Sequence, residues 1–94
     1  MNYKEPVRIT RSVKNLLENL KPVYKWIVKD SDNLVFVFTD KPKKNSFEWI
    51  NPTGYFANVS KLFYSEFFDF ISWEDEEPTN IKELLANCEV IDGD

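Results

Sequence analysis

The chain has 94 residues and a formal net charge of −4, with fifteen aromatic side chains, no histidine and a single cysteine, Cys88. One cysteine excludes an internal disulfide, and the lack of histidine excludes the common structural zinc sites and every imidazole-based catalytic pair. At this length we expect one domain, 1–94, whose aromatic side chains supply the apolar area for a core.

The net charge averages two unlike halves. Residues 1–44 carry ten basic and five acidic side chains, whereas residues 45–94 carry two basic and eleven acidic ones. The first half is therefore positive and the second strongly negative. Such an asymmetry serves either to neutralise the molecule internally or to face partners.

The first half shows clear periodicity. Apolar residues at helical spacing predict a helix over Thr10–Leu20. From Val23 to Lys29 the pattern changes to period two, which predicts a strand. Turn residues at Asp30–Asn33 and a β-branched, aromatic run at 34–39 complete a predicted hairpin. The polar residues 40–46 then predict a loop.

The second half is less regular. A short third strand is predicted at Phe47–Ile50, before a turn. The aromatic density of the following segment favours strands near 55–59 and 67–73, with irregular or helical chain between them. Thr79 is predicted to cap a short helix that runs through Leu85.

These elements predict an α+β fold with an N-terminal helix, an antiparallel sheet of three to four strands and a short C-terminal helix. Residues 1–9 and 89–94 are expected to be loose ends. No apolar run has the length of a signal peptide or of a membrane span, so we expect a cytoplasmic protein without membrane contact.

The acidic half suggests a surface for a partner with a basic site, because spaced carboxylates can occupy a site built for a phosphate backbone. The candidate partner-binding residues are Glu66, Asp69, Glu74, Asp75, Glu76, Glu77 and Glu83. A solvated loop that complements a helix dipole is the plainer interpretation of the run at 74–77. A metal site is disfavoured, because four consecutive acids cannot all converge on one ion.

A second hypothesis uses the basic side chains of the predicted hairpin and its loop. The candidates for nucleic-acid binding are Lys25, Lys29, Lys41, Lys43 and Lys44, interleaved with Tyr24, Trp26, Phe36, Phe38, Phe47 and Trp49. Such an arrangement is typical of sheets that stack single-stranded bases. Two facts oppose it: a domain this small needs most of its aromatics in the core, and the isoelectric point near 4.8 disfavours phosphate contacts.

The acidic-surface hypothesis depends on where the basic group lies relative to the acidic run. If Lys41, Lys43 and Lys44 lie against 74–77 in the folded chain, the asymmetry is neutralised internally and the acidic-surface hypothesis loses most of its support.

Two stretches, 24–44 and 67–85, share features with a known group of proteins. The features are 24–30, 34–38 leading to Lys41-Pro42, and above all 70–79, which contains Trp73-Glu74-Asp75-Glu76-Glu77-Pro78-Thr79 and is followed by Ile81 and Leu84-Leu85. In these stretches the chain resembles small uncharacterised proteins of phages and prophages of low-GC Gram-positive bacteria. The resemblance covers about half of the chain. It brings no established activity but implies a context, because small phage proteins without catalytic residues often bind and inhibit host proteins. Inhibitors of host nuclease defences, including anti-CRISPR proteins, are commonly this small and often acidic.

We therefore expect a non-catalytic protein without cofactor or metal, acting in the cytoplasm of an infected bacterial cell. Its expected partner is a host protein with a basic site, such as a nucleic-acid-processing defence protein. The alternative is a small accessory protein that binds single-stranded nucleic acid. We expect a monomer or a small homo-oligomer.

Overall fold

The computed structural model describes residues 6–91, apart from the side chain of Leu62. This part contains the helices α1 (Arg11–Glu18) and α2 (Ile81–Asn87) and two 3-10 helices, Ser60–Leu62 and Ser65–Phe68. Its strands are β1 (Arg8–Thr10), β2 (Trp26–Lys29), β3 (Val35–Phe38), β4 (Lys43–Lys44), β5 (Trp49–Ile50), β6 (Phe56–Asn58), β7 (Thr79–Asn80) and β8 (Glu89–Ile91). The predicted α+β class and its arrangement of helices and antiparallel sheet are confirmed.

The central sheet has four antiparallel strands in the order β6-β3-β2-β7. β2 and β3 form the predicted hairpin, whose turn ends at Asn33 with a φ of 69°. Asparagine tolerates this left-handed conformation better than most residues, which allows a tight turn without glycine. The strand predicted at 55–59 is also present, as β6.

Each α-helix begins at a side-chain cap. Thr10 Oγ1 accepts the Val13 N–H at 3.2 Å, and α1 buries Val13 and Leu17 as its apolar spacing predicts. For α2 the predicted cap is wrong. Thr79 lies in β7, and Asn80 Oδ1 accepts the Glu83 N–H at 2.9 Å instead. Asparagine is the stronger capping residue of the two.

The expectation of loose ends is wrong for part of each end. β1 and β8 pair in parallel, with Arg8 opposite Glu89 and Thr10 opposite Ile91. Ile9 is buried in this pair, so its insertion into the core holds β1 in place. Residues 1–5 and 92–94 of the expected loose ends lie outside the described residues.

Two further segments differ from the prediction. β5 pairs with β4, which lies in the predicted loop 40–46, and these two strands form a hairpin apart from the central sheet. The strand predicted at 67–73 is absent from the described chain, because the second 3-10 helix and turns occupy this segment. Its aromatics pack edge-on against one another, as Phe63 does against Phe67 and Phe68, so they fill a compact loop and do not form a ladder.

The sheet divides the buried residues into two clusters, because side chains alternate between its faces. On one face Ile27, Val35 and Val37 pack with α1, α2, β1 and the second 3-10 helix, whose Phe68 is completely buried. On the other face Val28, Phe38 and Trp49 form a smaller cluster. Trp26, Phe36 and Trp73 pack against that smaller cluster. The β4–β5 hairpin covers only the middle of this second face.

Candidate functional site

An open groove of about 680 Å³ lies beside the hairpin, at the β7 end of the sheet. We call it the acidic groove. Its lining consists of Trp26, Lys41, Glu74, Asp75, Glu76, Glu77, Pro78, Thr79, Asn80 and Glu83. Five carboxylates and one lysine therefore surround a half-buried tryptophan, and the groove favours a positively charged occupant.

A tight turn sets the direction of the acidic run. Asp75 Oδ2 accepts the Ser72 N–H at 3.0 Å, and the Asp75 N–H donates to the Ser72 carbonyl at 3.1 Å. The Ser72 hydroxyl oxygen accepts the Glu74 N–H at 3.0 Å. Pro78 and Thr79 are buried at the other end of the run. The run is thus anchored at both ends, and Asp75 is half-buried as part of the anchor.

Three carboxylates of the groove are exposed and have no ion pair among residues 6–91: those of Glu74, Glu76 and Glu83. Glu83 belongs to the first turn of α2, and its N–H is held by the Asn80 cap. Two different elements therefore present these three side chains to one groove.

Glu77 is paired with the basic half of the chain. Lys41 Nζ lies 3.6 Å from Glu77 Oε2 and 5.6 Å from the centre of the Trp26 ring. Both partners of the ion pair are largely exposed, and exposed pairs of this kind contribute only about 0–1 kcal/mol. Little free energy is therefore needed to separate Lys41 from Glu77.

The other two lysines of the loop lie nearby. A smaller recess is lined by Lys41, Lys43 and Lys44 together with Glu76 and Glu77. Lys44 is half-buried, with its Nζ 4.5 Å from the Trp73 ring and 5.2 Å from the Trp49 ring. The basic loop thus neutralises one end of the acidic run, whereas Glu74 and Glu83 lie outside this recess.

The other two acidic candidates are placed differently. Glu66 lies in the second 3-10 helix and Asp69 directly after it, and the Asp69 N–H donates to the Glu66 carbonyl at 3.3 Å. Both side chains are exposed, but neither lines the acidic groove. The fold therefore brings together five of the seven predicted acidic residues.

The structure does not bring the five candidate nucleic-acid-binding lysines together. Lys29 is buried, with 8% of its surface exposed, and Lys25 lines a separate cleft between α1 and α2. Only Lys41, Lys43 and Lys44 share a recess. The aromatics are also dispersed: Phe38 and Trp49 are buried, whereas Phe47 is exposed.

One residue of the predicted turn has a role that its local pattern does not indicate. Asp30 is buried, and its Oδ1 accepts the Trp49 N–H at 3.0 Å from 19 residues away. The Trp49 indole N–H donates to the Lys29 carbonyl at 3.2 Å, and the Ser31 hydroxyl donates to the Phe47 carbonyl at 2.6 Å. The β2–β3 turn thereby holds β5 against the second face of the sheet.

Within residues 6–91, no three acidic or thiol side chains lie close enough together to hold a metal ion. The described helices are also too short and too polar to span a bilayer.

Comparison of the chain with known protein families, with curated proteins and with solved structures finds no match.

Proposed function

We propose that the protein is a non-catalytic binding protein of the phage type, which captures a basic site of a host macromolecule in the acidic groove and thereby inhibits it. The observation that carries this proposal is the placement of Glu74, Glu76 and Glu83, exposed on two elements around Trp26, with Lys41 as the one lysine in the lining. A groove of one charge sign attracts oppositely charged partners and raises their association rate.

The proposed partner class is a nucleic-acid-processing defence protein of the host, as for anti-CRISPR proteins. Such proteins present clustered basic side chains where they hold a phosphate backbone. An arginine or lysine of that site would pair with Glu74 or Glu83 and place its aliphatic stem on the Trp26 ring. The protein would then act in the cytoplasm of the infected cell.

The position of the basic loop limits how far the acidic run can imitate the phosphates of a nucleic-acid strand. Lys41 pairs with Glu77, and Lys43 and Lys44 lie beside the same end of the run. At that end of the run the lysines lie against the carboxylates, and this internal neutralisation weakens the acidic-surface hypothesis there. What supports the proposal is therefore a compact groove in which Glu74, Glu76 and Glu83 have no ion pair within residues 6–91, and not a long row of charges that imitates a nucleic-acid strand.

Nucleic-acid binding through the lysines has less support. Lys29 is buried, Lys44 lies over two tryptophan rings, and Lys25 faces a different cleft. A strand of phosphates would meet neither a continuous row of cations nor a stack of exposed rings.

The first test compares two triple variants that remove equal charge. E74Q/E76Q/E83Q neutralises the acidic groove and leaves the anchor Asp75 intact, whereas E18Q/E66Q/D69N neutralises exposed acids outside it. With an end-blocked oligoarginine peptide as the probe, the groove variant should bind about tenfold more weakly at low salt, since three favourable charge contacts are lost. The control variant should bind nearly as the wild type does. Equal losses in both variants would show that only net charge matters and would overturn the assignment to the groove.

The second test addresses inhibition. Host proteins captured from a lysate by the wild type but not by the groove variant are purified, and their nuclease or nucleic-acid-binding activity is measured with each variant. Inhibition by the wild type and by the control variant alone supports the proposal. A gel shift of single-stranded DNA at low salt, lost in a K41Q/K43Q/K44Q variant, would instead support the nucleic-acid alternative.

A further inference from the structure

The second face of the sheet has another recess, at the β6 end and thus away from the acidic groove. We call it the aromatic recess. It is walled by Phe36, Phe38, Trp49 and Phe56, with Asp30 and Glu48 in its lining, and its volume is about 130 Å³. Because a water molecule takes about 30 Å³, this space corresponds to roughly four waters, or to one long side chain.

The wall of the recess is ordered but open. The Phe56 ring stacks on Phe38, with centroids 5.6 Å apart, and meets the edge of Phe36 at 6.0 Å. Even so, 61% of Phe56 and 43% of the neighbouring Ile50 remain exposed. These two adjoining apolar side chains therefore remain in contact with water and are available to a bound molecule.

The recess also contains a carboxylate that is incompletely paired. Asp30 is 6% exposed, its Oδ1 accepts the Trp49 N–H, and its Oδ2, which accepts no hydrogen bond from the described residues, keeps contact with solvent. Burial raises the pKa of Asp30 above its usual value. The Trp49 hydrogen bond opposes this rise, and the charges of Asp32 and Glu48 add to it. A cation placed beside Oδ2 would compensate both the burial and the neighbouring negative charges.

Beside the recess lies an open strand edge. Hydrogen bonds from Thr39 N–H to the Tyr55 carbonyl and from Val59 N–H to the Val35 carbonyl flank β6. In an antiparallel ladder such bonds alternate, so Ala57 is the residue of β6 that bonds to β3. The main-chain groups of Phe56 and Asn58 point away from the sheet, and within residues 6–91 no strand pairs with the outer edge of β6. An unpaired edge of this kind accepts a further strand.

We propose that an extended segment of a partner protein pairs with the β6 edge and inserts one basic side chain into the aromatic recess. The main chain of the segment would bond to Phe56 and Asn58, as in other cases of strand addition. Its lysine or arginine would lie against the Phe36 and Phe56 rings that line the recess and meet the carboxylates of Asp30 and Glu48.

The chemistry of the recess selects this occupant. An apolar side chain would leave the Asp30 carboxylate buried without compensation, and an acidic one would be repelled by Asp30 and Glu48. The stem of lysine or arginine suits the aromatic walls, while its charged group suits the two carboxylates. The proposal concerns a different surface from the acidic groove and does not depend on the proposed function.

End-blocked peptides of alternating threonine and valine, with a central lysine, arginine, norleucine or glutamate, test the proposal. They are titrated into the full-length ¹⁵N-labelled protein and followed by NMR. The lysine and arginine peptides should shift the amide signals of Phe56 and Asn58 and the Trp49 indole signal. The norleucine and glutamate peptides should bind at least about tenfold more weakly, as expected when a charge-assisted hydrogen bond is lost.

Three variants locate the site. Glu48→Gln and Phe56→Ser affect exposed side chains and should weaken binding of the lysine peptide, as should Asp30→Asn, which keeps the oxygen that accepts the Trp49 N–H. E74Q/E76Q/E83Q should bind it as the wild type does, which separates this proposal from the acidic groove. N-methylation of the peptide on the side that faces β6 should abolish binding, whereas N-methylation on the opposite side should be tolerated.

Three results would overturn the proposal. They are equal affinity for the norleucine and lysine peptides, signal shifts confined to the acidic groove, and no binding at millimolar peptide. A shift of the same amide signals with protein concentration alone would identify a second copy of the chain as the occupant and would also overturn it.

Discussion

One face of the four-stranded sheet is covered by two helices, a parallel strand pair and a 3-10 helix, whereas within residues 6–91 the other is covered only by the β4–β5 hairpin and Trp73. On the first face Ile27, Val37 and Phe68 are sealed from water. On the second, Phe56 is largely exposed, and an open recess lies on each side of the hairpin. The comparison indicates that the first face provides most of the stability and that the second is available for binding.

The hairpin itself is held by polar and aromatic contacts more than by aliphatic packing. Asp30 accepts the Trp49 N–H, the Trp49 and Trp73 rings meet edge to face at 6.5 Å, and Lys44 lies over both rings. Such contacts have directional requirements, so they define the position of the hairpin without covering the whole face.

The largest expected effect tests the division of roles between the faces. Phe68→Ala should destabilise the protein by about 3–5 kcal/mol, because it opens a cavity in a sealed cluster. Phe56→Ala, on the open face, should cost less than about 1 kcal/mol. Urea denaturation measures both free energies of unfolding. Similar losses in the two variants would contradict the comparison.

A smaller effect is expected for the lysine that lies over two tryptophan rings. Lys44→Gln should lower the free energy of unfolding by about 0.5–2 kcal/mol, because the cation–π contacts with Trp49 and Trp73 are lost. Lys43→Gln is the matched control, since Lys43 is exposed and, within residues 6–91, lies over neither tryptophan ring. Equal stability of the two variants would show that the rings alone hold the hairpin.

The exposed ion pair at the acidic groove gives a third prediction. Lys41→Gln should tighten binding of the oligoarginine peptide by up to about fivefold, because Glu77 no longer has an internal partner. Lys61→Gln, an exposed lysine in the first 3-10 helix, removes the same charge elsewhere and should change the affinity less. Weaker binding of the Lys41 variant would mean that the lysine helps to hold the occupant.

The smallest effect on the free energy of unfolding is expected for Asp30→Asn, because asparagine keeps the oxygen that accepts the Trp49 N–H. Asp30 has a higher pKa in the folded protein than its usual value of 3.8. Between the usual pKa and the raised one, the folded state therefore keeps a proton that the unfolded state has lost. The Asp30 carboxyl group therefore lowers stability as the pH rises through that interval. Asparagine does not titrate, so the Asp30→Asn variant does not lose stability in this way as the pH rises. The free energy of unfolding of the variant relative to that of the wild type should therefore increase from acidic to neutral pH. Urea denaturation at several pH values would show it, and a constant difference would contradict the raised pKa.

Local patterns were enough to predict the elements whose residues interact with near neighbours. The β2–β3 hairpin follows from period-two alternation and a turn at Asp30–Asn33, and α1 from apolar residues at helical spacing. The prediction of a strand at 67–73 is wrong because a run of aromatics suits a strand and a compact loop equally well. Contacts such as Phe63 with Phe68 decide between the two.

The sequence predicts the carboxylates that form the candidate acidic site, but not their arrangement in space. Glu74 and Glu83 face one groove because the Asn80 cap starts α2 directly after the acidic run, while Glu66 and Asp69 lie outside it. The aromatic recess had no signal in the local pattern, since Asp30 and Phe56 are brought together by pairing between distant segments.

The sequence by itself determined the α+β class, the two helices, the central hairpin and the charge asymmetry between the two halves, because each of these depends mainly on residues close in the chain. The tertiary structure alone decided which charges meet. It placed Lys41 against Glu77, buried Lys29 and set β1 beside β8. The net charge of −4 therefore conceals a partly neutralised loop and an acidic groove with three exposed carboxylates that have no ion pair within residues 6–91. Long-range packing makes this distinction, since charge energies depend on distance and burial and not on position along the chain.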